Sequence, residues 1–584
     1  MDVEGMTRGS YWRWQKEDFF PGQSFESCAS YTSALFHTPS RLRDRLLTRS
    51  RDADELTGAR RRSEHDMRRC LTWWDLIWFG FGSVVGAGVF VLTGQEARNH
   101  AGPAIVLSYA ASGFSALLSV FCYTEFAVEI PAAGGSFAYL RVELGDFVAF
   151  IAAGNLILES VVGCAAVARA WTSYLAALLG RAPNSLRIHT SLADGFNLLD
   201  PISVAVIAAT AGAAIASTKK SSLLNWVASI LHVAVILFVI IASFARGHAG
   251  NMTPFAPYGA SGVFRAAAVV YFAYGGFDRA ATLAEEVRNP SRDIPIGLIG
   301  SLSGIITIYC LMALSLAMLQ RYTDIDPNAA FSMAFRSVGM GWAATLVALG
   351  ALKGMTTVLL VGAITKARYV THIARAHMIP PLFALVHPWT GTPIYATMLV
   401  GTISACFAFF SSLSVLSSLL SISYLFVFMM VALALLVRRY YDSAAPTART
   451  DRIKLTTLLL LVMGSSVATA AYWGLSPHGS WVGYVVTVPL WTAGTAGMAV
   501  LLPQRRTPKV WGVPMVPWLP SLSIAMNIFL MGSLGYQAFV RFGVCTLVML
   551  VYYLFFGLHS TYDMAHEEGQ SPKKPNRVED GDGF

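Results

Sequence analysis

The chain has 584 residues, 55% of them hydrophobic and only 13% charged, against roughly 25% charged in a typical soluble protein. That balance excludes a soluble catalytic domain and describes an all-α polytopic membrane protein. The net charge of +9 does not call for nucleic acid, because the basic residues gather in alternate loops between apolar stretches.

A hydrocarbon core of about 30 Å needs roughly 20 apolar residues per helix. About fourteen such stretches follow one another, at 73–96, 103–130, 147–179, 201–217, 223–245, 263–284, 296–320, 342–368, 394–411, 414–437, 455–474, 480–502, 518–535 and 539–558. Ahead of them, residues 1–70 hold no apolar run of signal-peptide type, so the first spanning helix is expected to serve for targeting. Ser40 to Arg69 carries ten arginines, with Leu42, Leu46 and Leu47 at helical spacing. This suits a helix on an anionic cytosolic leaflet, and equally a disordered tail that sets orientation by charge. Clusters such as Lys219 and Lys220, Arg438 and Arg439, and Arg505 and Arg506 alternate with loops holding single arginines, among them Arg98, Arg246 and Arg321. By the positive-inside rule both termini are cytosolic, as an even number of spans requires.

The first span, Trp73 to Val91, reads WWDLIWFGFGSVVGAGVFV, with glycine at 80, 82, 86 and 88. Glycine weakens a helix by roughly 1 kcal/mol relative to alanine, and non-helical backbone at membrane depth persists only where protein or a cavity satisfies it. A break near Ser83 to Gly88 aims the free amides of a second half-helix, from Gly86, Ala87 and Gly88, at the midplane. The carbonyls of Val84 and Val85, at the end of the first half, can accept from an ammonium. Together these groups would read an α-amino acid; read alone, the glycines also serve close helix packing.

Five spans on, Val269 to Glu286 reads VVYFAYGGFDRAATLAEE, and Gly275-Gly276 interrupts the sixth stretch as the earlier glycines interrupt the first. That interval fits an inverted repeat of five plus five helices with broken helices 1 and 6 facing each other. Carbonyls of Phe272, Ala273 and Gly275 would complete an ammonium site, and Phe272 or Phe277 would cover it.

Several long motifs carry a resemblance: GSVVGAGVFVLTG (82–94), FCYTEFAVEIPAAGGSFAYLRVELGDFVAFIAAGN (121–155), FAYGGFDRAATLAEEVRNPSRDIPIG (272–297), LKGMTTVLL (352–360) and LLSISYLFVFMMVALALLVRRYY (419–441). In this order they resemble the cationic amino acid transporters of the amino acid–polyamine–organocation superfamily, over residues 65 to 560. The N-terminal TPSRLRDRLLTRS and RRRSEHDMRRCLTWWDL are similar to the plant members. The resemblance implies a LeuT-like core of ten helices at 71–440, four additional helices at 441–560, and flanking cytosolic segments at 1–70 and 561–584, the last disordered. It also implies movement of amino acids, commonly arginine, lysine and histidine, coupled to protons or membrane potential, and favours the plasma membrane over the vacuolar membrane.

Ionisable groups inside spans are costly and usually functional. Glu125, at a position the family keeps acidic, is expected either at an inner gate or in an internal ion pair. His232 is the histidine of an otherwise apolar span, in a register that resembles a lysine of bacterial relatives at an ion site. With an unperturbed pKa of about 6.5 it suits proton exchange, and a neutral hydrogen-bonded histidine suits it equally. Asp278, beside the second break, joins them as a coupling or gating candidate, while Glu159 and Arg169 are expected to pair with other helices. Met355 resembles a pocket residue of the family that limits large side chains. Lys353 would repel cationic substrates if it faced the pocket. Arg279 departs from the family pattern: it is expected to pair with Asp278 or Glu285 or to snorkel toward the cytosol, and it equally suits altered substrate choice or lost transport.

The seven cysteines show no paired or metal spacing and read as small buried hydrophobes. Asn251-Met252-Thr253 is a glycosylation sequon in a loop placed outside. No cofactor or metal is implied: metal-spaced His/Asp clusters, nucleophile motifs and phosphate loops are missing, which sets aside an integral membrane enzyme. Neutral amino acids or polyamines remain alternatives to cationic substrates. A non-transporting amino acid sensor is a further reading, although the added signalling domain it would need is not found.

Overall fold

The computed structural model describes residues 14, 16–47, 71–86, 88–130, 135–216, 222–281, 283–387, 390–442, 447–475 and 481–570. Eight helices among them are long and apolar enough to cross a membrane, accompanied by four shorter apolar helices. Helices satisfy their own backbone groups, which a lipid environment demands. The strands among the described residues are one antiparallel pair, Ile188–His189 and Leu198–Leu199, with Ile188 opposite Leu199 in a connecting loop.

In chain order the helices are α1 (Cys28–Phe36), α2 (Thr38–Leu47), α3 (Trp73–Val84), α4 (Ile105–Glu129), α5 (Ser136–Leu144), α6 (Asp146–Leu178), α7 (Pro201–Ala216), α8 (Ser222–Arg246), α9 (Gly259–Val270), α10 (Phe277–Ala281), α11 (Pro290–Leu319), α12 (Ala330–Ser337), α13 (Gly341–Arg375), α14 (Ile394–Phe410), α15 (Leu413–Tyr440), α16 (Ala448–Leu475), α17 (Val482–Leu501), α18 (Trp518–Ser533), α19 (Tyr536–Tyr552) and α20 (Leu558–Gln570). Between α3 and α4 the chain winds through π-helical turns at Gly88–Leu92 and Ala97–Ala101, joined by one α-turn. Each apolar stretch read from the sequence holds one of these helices or an interrupted segment. The short helices α5 and α12, which lie between those stretches, were not anticipated.

α15 lies at the centre, with 83% of its most apolar window buried, whereas α17 and the stretch Tyr536–His566 have 22% and 11% buried. α6 packs against α13 and α15, and α11 lines both α3 and α4. The last apolar helices therefore sit at the periphery and present apolar surface where lipid would lie.

Charged residues at one end form buried and half-buried pairs. Arg439 grips Glu125 through two 2.8 Å bonds, and the Val513 N–H donates to the same carboxylate at 2.8 Å. Arg438 reaches Glu143 at 2.6 Å and Glu129 at 3.3 Å. Removing one partner of such a buried pair typically destabilises by about 3–5 kcal/mol.

The N- and C-terminal segments meet at this end. Asp563 of α20 accepts from the Ser24 N–H at 2.8 Å and from Arg41 at 3.2 Å, while Arg45 reaches Asp146 at 3.2 Å. One expectation changes here. The polar tail expected from residue 561 continues as helix through Gln570, its Asp563 matched by the N-terminal segment. In the described part of the basic segment, Arg41 and Arg45 engage carboxylates of the protein itself. Residues 48–70 and 571–584 lie outside the described residues.

Candidate functional site

Two segments interrupt their helices at the same depth and touch there. α3 is capped by Thr72, whose N–H donates to the Asp75 carboxylate at 2.9 Å, and it stops at Val84. Val85 is extended, and winding resumes at Gly88. The second segment runs α9, a 3₁₀ turn at Tyr271–Tyr274, an extended Gly275, Gly276 at φ +119°, then α10. A Cβ on Gly88 would lie 2.6 Å from the Ala273 Cα, and one on Gly276 would lie 2.7 Å from the Ser83 carbonyl oxygen. Glycine is required at both positions by this approach, and at Gly276 also by its φ.

Polar bonds hold the breaks together. Ser83 Oγ shares its one proton between the Gly80 carbonyl of its own helix at 3.0 Å and the Gly276 carbonyl at 3.1 Å. The Tyr309 hydroxyl, from α11, sits 3.1 Å from both the Val84 and the Ala273 carbonyl oxygens, one proton for two acceptors. The Phe272 N–H donates to Ser421 Oγ at 3.2 Å. Further out, Leu71 N–H donates to the Glu286 carbonyl and Arg288 N–H returns to the Leu71 carbonyl, so the entry of the first segment is stitched to the exit of the second.

Just beyond the breaks opens a cavity of about 450 Å³, walled by Phe79, Glu159, Asp278, Glu286, Lys366 and Tyr369 among others. Lys366 Nζ donates to the Ser160 carbonyl at 2.7 Å. Arg368, His372 and Arg375 line it toward the end that carries both terminal segments, where Pro393 and Val386 form one side. Trp14 donates to Tyr395 Oη at 2.9 Å beside that side. The cavity holds acidic and basic side chains facing each other and reaches Asp278, two residues past Gly276.

The expected residues divide between these features. Val84, Val85, Gly86, Gly88 and Ala273 are buried at the contact between the breaks, with Gly86 against Val358 of α13. Ala87 lies outside the described residues. Gly275 packs on the Tyr424 ring. Phe277 is buried among aromatics, its ring 4.7 Å from Phe428 and 5.3 Å from Tyr123, so the half-buried Phe272 is the ring left to cover a ligand. Met355 is fully buried and lines neither cavity.

Glu125 is held by Arg439, away from the cavity wall. His232 sits in a narrow groove with Lys353, Trp78 and Val85, its ring against Gly354 and 5.7 Å from that of Phe90. Lys353 thus faces this groove, not the larger cavity. Arg169 donates to the carbonyls of Ala408, Phe409 and Leu198, tying α6 to the end of α14, whereas Glu159 borders the cavity. The Arg279 and Glu285 side chains lie outside the described residues. The amide of Asn251 donates to the Met318 carbonyl at 2.8 Å, which engages the sequon nitrogen within the protein.

Sequence reasoning missed Tyr309, Ser83 and Ser421. Ser83 lies inside the glycine-rich break, where its small hydroxyl was a usable sign. Tyr309 and Ser421 stand in ordinary apolar runs and give none. Among the described residues no group of His, Cys, Asp and Glu could hold a metal ion.

Comparison with known proteins adds the family. A profile described as amino acid permease matches residues 71–501, and one described as the C-terminus of the amino acid permease matches 511–561. Cationic amino acid transporter 5 of Arabidopsis thaliana is 69% identical over 97% of this chain and 99% of its own length. Vacuolar cationic amino acid transporter 8 of the same plant is 59% identical over 97% of this chain and 96% of its own, and cationic amino acid transporter 1 is 58% identical over 97% and 95%.

Proposed function

The chain belongs to the amino acid permease family, and from that premise we propose that it carries cationic amino acids, arginine, lysine and histidine, across a membrane by alternating access. It is a carrier and not an enzyme. The observation that carries the reading is the contact of two interrupted segments beside a cavity containing Asp278 and Glu159.

In the proposed binding mode the substrate carboxylate takes the amides of Gly86, Ala87 and Gly88. Its ammonium takes the carbonyls of Val84, Val85, Phe272, Ala273 and Gly275, displacing the Tyr309 hydroxyl from those it now approaches. The cationic side chain extends toward Asp278, with Phe272 as cover. Met355, buried on α13 one turn before Val358, acts on side-chain size. Preorganised dipoles replace the hydration shell without moving, which lets a charged ligand occupy a low-dielectric site.

We further propose fourteen spans, the first ten in a LeuT-like inverted repeat at 71–440 and four more at 441–560. The entry of the first interrupted segment lying beside the exit of the second supports this, because the two segments then cross in opposite senses. On this reading both termini and the cavity are cytosolic, so the conformation is open inward. Glu125 with Arg439 fixes the inner ends of α4 and α15, and His232 exchanges the coupled proton. The basic N-terminal segment, Ser40 to Arg69, is proposed to meet anionic lipid. The plasma membrane is the proposed location, and a fluorescent fusion imaged against vacuolar and plasma membrane markers tests it. Saturable uptake of labelled arginine, blocked by lysine, tests the transport reading.

A further inference from the structure

The C-terminal helices lie outside the interrupted segments, yet one buried amide joins them to the second break. Asn527 of α18 is fully buried. Its Oδ1 lies 3.2 Å from both Ser115 Oγ and Tyr271 Oη. Its Nδ2 donates to Ser119 Oγ at 3.1 Å and to Ser523 Oγ at 3.4 Å. An amide has two donor hydrogens and two acceptor lone pairs, and Asn527 uses all four. A carboxamide at bilayer depth with no partner would be strongly unfavourable, so this cluster of hydroxyls is a built receptor for one side chain.

Its partners decide what it does. Ser115 and Ser119 are one turn apart on α4, and Tyr271 opens the 3₁₀ turn that leads into Gly275. The next residue, Phe272, is held through its N–H by Ser421 of α15. The turn is therefore fixed at two successive residues, by a side chain from α18 on one and by α15 on the other. Its remaining residues present the Ala273 carbonyl to the first break. A rotation at Tyr271 would move that carbonyl directly.

We infer that Asn527 is a positioning residue for substrate recognition: through Tyr271 it sets the orientation of the 271–274 turn, and so makes the C-terminal unit part of the amino acid site without touching the ligand. The inference rests on the carrier reading. Asn527→Leu removes the amide, and Tyr271→Phe removes one oxygen with little risk to folding.

Arginine uptake by wild type, both single variants and the double variant, normalised to surface protein, is the test. Each single variant is expected to raise KM about three- to tenfold, the worth of one buried hydrogen bond, with little change in maximal rate per surface molecule. The double variant is expected to match the larger single effect, since both break the same link. Wild-type KM in Tyr271→Phe, or effects that multiply in the double variant, would overturn the role. A wild-type protein that takes up no arginine would instead refute the carrier reading, and this role with it.

Discussion

Ser83 and Gly276 are 193 positions apart, and the hydroxyl of one donates to the carbonyl of the other across 3.1 Å. The bond fastens two helix ends that would otherwise expose unpaired backbone at membrane depth. Reciprocally, Gly276 leaves room for the Ser83 carbonyl, and its φ of +119° is one that residues with a side chain rarely adopt. Gly276→Ala forces either the backbone or the contact to change. A left-handed conformation typically adds about 1–2 kcal/mol for an L-residue, and the collision adds to it. We expect transport per surface molecule to fall by about tenfold or more, measured by uptake against biotinylated protein; full activity would show that the breaks do not need this approach.

Tyr309 is the second fastening. Its hydroxyl approaches the Val84 and Ala273 carbonyls, the same groups proposed for the substrate ammonium. Tyr309→Phe keeps the ring and deletes the competitor, leaving buried acceptors that a ligand can satisfy; such a group typically counts for about 1–3 kcal/mol. The expected result is a several-fold lower KM for arginine together with a slower maximal rate. An unchanged KM would separate Tyr309 from the ammonium site.

His232 shares its groove with Lys353, and among the described residues no acidic side chain lines that groove. If it carries the coupled proton, His232→Ala at normal surface expression takes up substrate equally at acid and neutral external pH. Retained pH dependence would remove the histidine from coupling.

The terminal segments should respond together. Asp563 joins Ser24 and Arg41, and Asp563→Asn weakens the charge that holds them. Limited proteolysis of the purified protein is expected to cut the N-terminal segment several-fold faster in the variant, with the spans intact. Equal rates would show that the segment is held elsewhere.

The interrupted segments were legible because glycine inside a long apolar run conflicts with a continuous spanning helix, and the conflict needs no partner to be visible. The limits of most spans followed from hydropathy for the same reason. Partner identity was not legible: nothing local to Glu125 points to Arg439, and nothing in the runs around Tyr309 or Asn527 marks one hydroxyl or amide as a bridge. α20 escaped notice for a related reason. Its polar residues suit solvent when read alone, and become helix-forming contacts only opposite Ser24 and Arg41. Met355 shows the converse limit, since resemblance singled it out and nothing in its own run marks it.

The most direct test is labelled arginine uptake into cells lacking their own carriers, at external pH of about 5.5 and about 7.5, on either side of the ordinary histidine range, with lysine, glutamine, glutamate and a polyamine as competitors. The account predicts saturable arginine uptake that lysine blocks, that glutamate leaves unaffected and that acid pH enhances. Surface-expressed protein that moves no arginine would contradict it.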